Sequence, residues 1–343
     1  MNQISPVDQT LMQQEVREIP SVLRHMIQNS QDAIQQAALE AKELDPAFLV
    51  TVARGSSDHC AHYLKYAFEI LAGLPVASIG PSIASVYGKS LKLDRSIALS
   101  VSQSGQSPDI VAAADMCRTN GSLAIAITNE VQSPLAEVSN HAFDIAAGTE
   151  KSVAATKTFV SSLTAGLLFL ARFKGDNALL EAISNLPDQC EVAVKTRWDS
   201  FLDYMTDRNS LYVLGRGPSF AIAHEIALKF KETCQIHAEA YSTAEVMHGP
   251  VSIIDEGFPV FALLNNDAAK DSVKQSIASV QAKGAEVFVG TNDLITAEAG
   301  PLHPLTEPVL SIVSFYAFVE ELARVRGSNP DLPPNLRKVT ETV

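Results

Sequence analysis

The sequence alternates short apolar runs with segments of helical periodicity, and it does so twice. The first series of apolar runs lies at 48–55, 75–80, 96–103, 122–129 and 141–148. The second series lies at 210–219, 259–266 and 285–292. Runs that are apolar throughout are typical of strands buried on both faces, and helices between them are the usual connections of a parallel sheet. We therefore predict an α/β fold with a mostly parallel sheet in each half of the chain.

The second series repeats the beginning of the first. The stretch "SLYVLGRGPS" matches "FLVTVARGSS", since each is an apolar strand followed by Arg-Gly and a turn with serine. The segments between the runs predict helices at 58–73, 108–121, 153–173, 220–234 and 268–284. We predict two tandem copies of one subdomain, divided into a helical lead-in at 1–46, a first subdomain at 47–190, a second at 191–328, and an extended tail that closes the site at 329–343.

Composition excludes several classes of protein. The net charge of -13 argues against a nucleic-acid partner, because phosphate-backbone binding requires clustered Lys and Arg. The polar first twenty residues do not resemble a secretory signal, and the apolar run at 165–171 is too short to span a bilayer. The four cysteines have no paired spacing, which favours reduced thiols. We therefore expect a soluble cytoplasmic protein that contacts no membrane.

Two loops at predicted strand ends are rich in small hydroxyl residues. The first loop is "RGSSDH" at 54–59, and the second loop is "SQSGQSPD" at 102–109. We expect Ser57 or Asp58 to cap one following helix, and Ser107 with Pro108 to open the other. Helix amino termini present unpaired N–H groups that suit a phosphate. No Walker or dinucleotide motif is present, so a phosphomonoester of a small molecule fits better than a nucleotide.

These loops and two later stretches resemble the SIS (sugar isomerase) domain family. The third loop, "GTEKSVAATKTF" at 148–159, is similar to that family's third loop. The stretch "ALKFKETCQIHAEAYSTAEVMHGP" at 227–250 resembles the catalytic part of the isomerase half of glucosamine-6-phosphate synthase, and "PPNLRKVTETV" at 333–343 resembles that enzyme's tail. The motifs occur in the same order, which makes the combination specific.

The resemblance implies a set of substrate contacts. The sugar-phosphate contacts carried over to this sequence are Ser57, Ser102, Gln103, Ser104 and Ser107, with Val153 and Ala154 lining the sugar. One position departs from the synthase pattern, since Arg54 stands where the synthase has cysteine.

The resemblance also implies four residues that take part in the chemistry. They are Glu232, His248 and Lys338, with Lys229 next to Glu232. From spacing alone, Glu225, Lys229 and Glu232 form a solvated salt-bridge ladder at i, i+4 and i+7. The resemblance instead makes Glu232 the carboxylate that moves a proton between C1 and C2, with Lys229 as a neighbouring functional lysine. It makes His248 the ring-opening residue, supplied from the neighbouring subunit of a homodimer, and Lys338 the Schiff-base lysine.

Two sets of residues could also suggest a metal. They are His59 and His62 with Asp58, and the spacing of Cys234, His237 and Glu239. Neither set has a second ligand pair at the usual spacing, so we predict no metal and no cofactor. We expect His237, Glu239 and Tyr241 to support the loop with His248.

The implied substrate is a hexosamine 6-phosphate. The synthase's glutaminase domain has no counterpart in this sequence, which favours the direction that releases ammonia. We therefore predict a glucosamine-6-phosphate deaminase that forms fructose 6-phosphate and ammonia. A fructosamine-6-phosphate deglycase and a galactosamine-6-phosphate deaminase are alternatives within the family. A regulatory SIS protein that senses a sugar phosphate is the alternative of another class.

Overall fold

A computed structural model describes residues 9–338 of the 343-residue chain. These residues form two compact units. The first unit comprises 21–150 and 157–187, and the second unit comprises 9–20, 151–156 and 188–338. The predicted domain boundaries at 46, 190 and 328 stay a prediction.

The first unit contains a five-stranded parallel sheet in the order β2-β1-β3-β4-β5. Its strands are β1 (Phe48–Val52), β2 (Val76–Ser78), β3 (Ser96–Val101), β4 (Ser122–Thr128) and β5 (His141–Asp144). Its helices are α2 (Ser56–Ala72), α3 (Ser82–Ser85), α4 (Pro108–Thr119), α5 (Pro134–Glu137) and α6 (Lys157–Lys174). Two further helices contribute residues to both units, namely α1 (Leu11–Leu44) and α7 (Asn177–Ala193).

The second unit contains a four-stranded parallel sheet in the order β7-β6-β8-β9. Its strands are β6 (Ser210–Gly215), β7 (His237–Ser242), β8 (Pro259–Leu263) and β9 (Glu286–Gly290). Its helices are α8 (Asp199–Met205), α9 (Pro218–Cys234), α10 (Lys270–Gln281), α11 (Asp293–Ala299) and α12 (Glu307–Val325), with short 3₁₀ turns at Val246–His248 and Pro250–Ile253.

The predicted fold class is confirmed, and each of the eight predicted apolar runs contains a strand. The strands are shorter than the runs because the polar ends of the runs form loops. The sequence did not predict β7. Its stretch "HAEAYS" contains no β-branched residue, and the strand lies at the edge of the sheet. The central strands β3 and β4 are buried along their whole length, as continuous apolar runs predict.

The helix predicted at 153–173 starts later in the structure, and the described part of the predicted tail lacks regular secondary structure. The helix predicted from residue 153 begins at Lys157, because residues 151–156 form a loop that is hydrogen-bonded elsewhere. The predicted tail contains no helix or strand over 329–338, and its last five residues lie outside the described residues. Within 9–338, no helix is long and apolar enough to cross a membrane.

The repeat seen in the sequence has a structural counterpart. Gly55 and Gly217 precede α2 and α9 with nearly the same backbone angles, φ 56° and ψ -134° against φ 58° and ψ -133°. Positive φ of this kind favours glycine. A second glycine, Gly215, ends β6 so close to α9 that a Cβ there would lie 2.3 Å from the Ser219 carbonyl oxygen. The short loop therefore fixes the start of α9 against the sheet.

Aromatic rings fill the core of the second unit. The Phe201 ring stacks on Phe261 and on Phe318, with ring centroids 5.0 and 4.8 Å apart. Phe230 of α9 meets the Phe315 ring of α12 edge-on at 5.0 Å. Offset and edge-on pairs of buried rings add to the free energy gained by burial. They hold α9 between the sheet and α12.

Candidate functional site

The hydroxyl loops of the first unit lie at the point where its strand order reverses. In the order β2-β1-β3-β4-β5, the chain leaves β1 and β3 toward opposite sides of the sheet. Open α/β sheets bind ligands in the crevice at such a switch point, outside the carboxyl ends of the strands. The predicted phosphate contacts follow these two strands, namely Ser57, Ser102, Gln103, Ser104 and Ser107. The topology thus places all five predicted residues at one edge of one sheet.

An ion pair joins the first loop to the second. The Arg54 side chain donates from Nε to Oδ2 of Asp109 at 2.6 Å, and a terminal nitrogen lies 2.5 Å from the same oxygen. Asp109 is fully buried, whereas the Arg54 side chain is 47% exposed. A buried carboxylate requires such a partner, so the pair ties the two loops together. The residue that departs from the synthase pattern therefore has a structural role, which loop composition alone did not indicate.

The second loop folds back on itself in a shape that requires glycine. The Gly105 N–H donates to the Ser102 hydroxyl at 3.2 Å, and φ at Gly105 is +61°. A Cβ at this position would lie 2.1 Å from the Ser133 hydroxyl oxygen. The Gln103 carbonyl accepts the Asn129 N–H at 3.1 Å. These bonds hold the loop in one conformation.

The predicted helix caps are right for one helix and wrong for the other. Ser107 is the N-cap of α4 and Pro108 its first residue, and the Ser107 hydroxyl makes no capping hydrogen bond to the helix. The N-cap of α2 is Gly55 rather than Ser57 or Asp58, because the helix begins at Ser56. Ser57 therefore lies in the first helical turn, where its side chain is partly exposed.

In the second unit, the amine of Lys229 is buried between two carboxylates of α9. Its Nζ lies 2.6 Å from Oε2 of Glu232 and 3.2 Å from Oε1 of Glu225. Lys229 and Glu225 are fully buried, while the Glu232 side chain is 19% exposed. The solvated ladder that the spacing alone indicated is therefore wrong. Two of the three charged side chains are thus removed from water.

The buried amine stays charged. Burial by itself disfavours the ammonium, but the charges of Glu225 and Glu232 outweigh burial and raise the pKa of Lys229 above its usual range. The Tyr316 hydroxyl of α12 donates to Oε1 of Glu225 at 3.2 Å. Glu232 is thus the partly exposed end of a buried polar network. Sequence reasoning missed Tyr316, since a tyrosine 91 residues from Glu225 in an apolar helix gives no local signal.

The structure brings Lys338 to the third loop. The Lys338 amine donates to the carbonyl oxygen of Ser152 at 2.7 Å. Ser152 directly precedes Val153 and Ala154, the residues that the resemblance assigns to the sugar. Ala154 is buried and Val153 is partly exposed. The predicted amine and the predicted sugar-lining residues are therefore neighbours in the second unit.

His248 lies in an exposed 3₁₀ turn. Its backbone N–H donates to the Glu245 carbonyl at 2.9 Å, and within 9–338 its side chain has no hydrogen bond to Lys229, Glu232 or Lys338. The adjoining turn is held by Tyr212, whose hydroxyl donates to the Pro250 carbonyl at 2.9 Å.

The neighbours predicted to support this loop contribute indirectly. The Tyr241 hydroxyl donates to Glu239 at 3.1 Å, and the Tyr241 ring packs edge-on against Tyr212 at 5.0 Å. His237 is exposed at the start of β7. The direct contact with the turn therefore comes from Tyr212, which the sequence analysis did not single out.

No cluster of three or more His, Cys, Asp or Glu side chains suited to a metal occurs within residues 9–338.

Burial raises the pKa of the Cys234 thiol to about 12, and its Sγ faces the Val319 carbonyl at 3.6 Å. Burial also lowers the pKa of His62. Cys234 is therefore an ordinary core thiol, and the other three cysteines are likewise buried and form no disulfide within the described residues.

The SIS domain family matches residues 47–172 and 204–298, which is more than half of the chain. This chain belongs to the SIS domain family. The two matched segments each contain one of the two parallel sheets. The SIS domain is therefore present twice, as the internal repeat predicted.

Known proteins of this family resemble the chain over nearly its whole length. The isomerizing glutamine–fructose-6-phosphate aminotransferase of Sulfolobus acidocaldarius is 31% identical over 95% of this chain and 56% of its own. A crystal structure of a candidate phosphosugar isomerase from Silicibacter pomeroyi is 48% identical, with a TM-score of 0.89 over 94% of this chain and 100% of that one. Glucosamine-6-phosphate deaminase of Thermotoga maritima shares the fold, with a TM-score of 0.77 at 22% identity over 97% of this chain and 100% of that one.

The chain spans only part of the length of the curated relatives that it matches. It covers 56% of the Sulfolobus acidocaldarius aminotransferase and 58% of the Escherichia coli K12 enzyme, which is 30% identical. The similarity therefore concerns the isomerase portion of those proteins.

Removal of the buried amine tests the polar network of α9. We expect Lys229→Met to lower the free energy of unfolding by about 3–5 kcal/mol, because Glu225 then becomes a buried carboxylate without its cation. The matched control is Arg118→Met, which removes an exposed i, i+3 pair with Asp115 and should cost less than about 1 kcal/mol. Denaturant unfolding of both variants measures the difference.

The loss in Lys229→Met should also depend on pH. Lowering the pH lets the buried carboxylate bind a proton, so the loss should be smaller at about pH 5 than at about pH 8. In the wild type, the Lys229 contribution is fully present below the usual lysine pKa and is lost only as the pH rises through the raised pKa. Equal losses for Lys229→Met and Arg118→Met would contradict the buried network.

Proposed function

We propose that the chain is an SIS-type glucosamine-6-phosphate deaminase, which converts glucosamine 6-phosphate and water to fructose 6-phosphate and ammonia. The observation that supports this most is the Lys229 ammonium, buried and fixed 2.6 Å from the partly exposed Glu232 carboxylate. A carboxylate that is held in place and shielded from most of the solvent is suited to proton transfer between adjacent carbons. The relatives named as isomerizing aminotransferases of fructose 6-phosphate support the substrate class.

The proposed steps use side chains of this sequence, with no cofactor. The loop residues Ser57, Ser102, Gln103, Ser104 and Ser107 bind the 6-phosphate, and Val153 and Ala154 contact the sugar. His248 opens the ring by moving a proton between O5 and O1. The roles of the loops rest on their position at the strand ends of the first unit and on helix N–H groups that attract an anion.

Glu232 then removes the proton from C2 of the open-chain amino-aldose and delivers it to C1. A second proton passes from the amine nitrogen to O1 through solvent, so the product is an imine at C2 with a CH₂OH group at C1. Water adds to the imine carbon, and the C–N bond breaks to release ammonia and leave a ketone. Lys338 assists this exchange either by adding to C2 before water or by orienting the attacking water. Every step is redox-neutral.

The direction of the reaction follows from the ammonia concentration. Imine hydrolysis is reversible, so low free ammonia in a cytoplasmic setting favours deamination. The same residues would catalyse amination if ammonia were supplied in excess. We therefore propose the deaminase as the net activity and the cytoplasm as its location.

Ammonia release from purified protein tests the proposed function. We expect ammonia and fructose 6-phosphate from glucosamine 6-phosphate, measured by coupled assay, with lower turnover of galactosamine 6-phosphate and of fructosamine 6-phosphate. Glu232→Gln should lower kcat by about 100-fold or more while retaining fructose 6-phosphate binding. The control Glu321→Gln changes a partly exposed carboxylate that pairs with the exposed Arg197, and it should turn over within about twofold of the wild type.

Faster turnover of either rival substrate would change the substrate assignment. Absence of ammonia from all three, with sugar-phosphate binding retained, would contradict the deaminase and favour a sensor. Unimpaired turnover by Glu232→Gln would remove that carboxylate from the mechanism.

We further propose a homodimer in which His248 acts in the site of the neighbouring subunit. Its exposure on a turn, beside the exposed apolar side chains of Met247 and Ile253, supports contact with a second copy. Mixing Glu232→Gln with His248→Asn should then restore about one quarter of wild-type activity, since half of the random dimers would contain one intact site of two. Verified subunit exchange without recovery would place His248 in the site of its own chain.

A further inference from the structure

A buried carboxylate of α1 holds the third loop in the second unit. Glu15 is almost fully buried, and its Oε1 accepts the backbone N–H of Lys151. The Ser152 N–H lies 3.2 Å from Oε2 and 3.3 Å from Oε1. The Ser152 hydroxyl also donates to Oε2. A carboxylate that accepts several N–H and O–H donors fixes the groups around it.

Ser152 connects this carboxylate to the tail. Its side chain is fully buried, and its carbonyl oxygen accepts the Lys338 amine at 2.7 Å. The same residue thus donates to Glu15 through its N–H and hydroxyl, and accepts from Lys338 through its carbonyl. Glu15 therefore sets the orientation of the Ser152 peptide. That orientation in turn sets the direction of the Ser152 carbonyl, which accepts the hydrogen bond from Lys338.

The tail has a second anchor on the same helix, but this anchor is too far from the amine to position it. The Asp331 carboxylate accepts the N–H groups of Leu11 and Met12 at 2.8 Å each, and so caps α1. Lys338 follows Asp331 by seven positions, a length of chain that can extend over roughly 23 Å. The tail contains no helix or strand over this stretch, so capping leaves the amine many positions. The Ser152 carbonyl selects one of them.

We propose that Glu15 is a positioning residue for the Lys338 amine, acting through the buried Ser152 peptide of the third loop. The catalytic part of this inference rests on the proposed function, in which Lys338 assists the release of ammonia. Displacement of a reacting group by about 1 Å can cost about 100-fold in rate, so a residue that does not touch the substrate can still control turnover.

The test compares Glu15→Gln with Glu18→Gln. Glu18 lies one turn further along α1 and is exposed, so its variant controls for loss of a negative charge from the same helix. Glutamine at position 15 keeps the shape of the side chain but replaces one acceptor oxygen with an NH₂ group, which repels the N–H donors of the loop. We expect the Ser152 peptide to move and its bond to Lys338 to weaken.

The first measurement does not require enzyme activity. Brief acetylation of the intact protein, with Lys338 quantified by mass spectrometry of its peptide, reports how accessible the amine is. We expect at least threefold faster labelling of Lys338 in Glu15→Gln than in the wild type and Glu18→Gln, with Lys229 unlabelled in all three. Unchanged Lys338 labelling in folded Glu15→Gln would overturn the proposal.

The second measurement follows ammonia release. We expect kcat of Glu15→Gln to fall by about 10-fold to 100-fold with KM within about twofold, because the phosphate-binding loops are unchanged. Faster Lys338 labelling with wild-type kcat would overturn the catalytic part of the inference. If wild-type protein releases no ammonia but the labelling contrast is present, the proposed function fails while positioning of Lys338 by Glu15 stands.

A milder variant keeps the test decisive if Glu15→Gln does not fold. Ser152→Ala removes the hydroxyl bond to Glu15 and keeps the peptide that contacts Lys338. We then expect labelling of Lys338 between that of the wild type and that of free lysine, and a smaller fall in kcat. Wild-type labelling of a folded Ser152→Ala protein would in that case overturn the proposal.

Discussion

The Lys229 ammonium between Glu225 and Glu232 is the interaction on which the proposed chemistry depends. A buried charge is tolerated only when partners replace its hydration, and here two carboxylates and a tyrosine hydroxyl form the network. The aromatic core of the second unit and the close approach at Gly215 hold α9 in place. The consequence is that Glu232 has one orientation, with part of its side chain open to solvent.

Two other buried carboxylates hold the loops in a similar way. Asp109 pairs with Arg54 and joins the first loop to the second, and Glu15 holds the third loop through Ser152. Each is a single charge buried among donors, which makes the loop conformation costly to change. A chain with a net charge of -13 can therefore present hydroxyls and N–H groups to an anion, since several of its acidic side chains are internal.

The sequence predicted the parts of the structure that depend on local pattern. Continuous apolar runs predicted β3 and β4, and the repeated Arg-Gly turn predicted two copies of one unit, which Gly55 and Gly217 now display in nearly equal backbone angles. Spacing alone placed Glu225, Lys229 and Glu232 on one face of a helix, but it could not tell a buried face from a solvated one. That distinction depends on tertiary contacts such as the hydrogen bond from Tyr316 of α12 to Glu225, which joins distant parts of the sequence.

Contacts between residues far apart in sequence could not be predicted in this way. Nothing local to Arg54 or Asp109 indicates that they pair, and nothing local to Glu15 indicates that it holds Ser152, 137 residues away. The strand β7 was missed because "HAEAYS" has no strand pattern and pairs along only one edge. These features arise from the tertiary fold, which also decides which of the charged groups remain in water.

The central claim is that one fixed carboxylate moves a proton between C2 and C1. The most direct test is to convert glucosamine 6-phosphate to fructose 6-phosphate in D₂O and to examine C1 of the product by proton NMR. A single base that works from one face delivers either the C2 proton or a deuteron that has exchanged onto Glu232, so all deuterium that enters C1 should occupy only one of its two positions. Deuterium distributed equally between both positions would contradict the account, because it would require protonation of C1 from both faces.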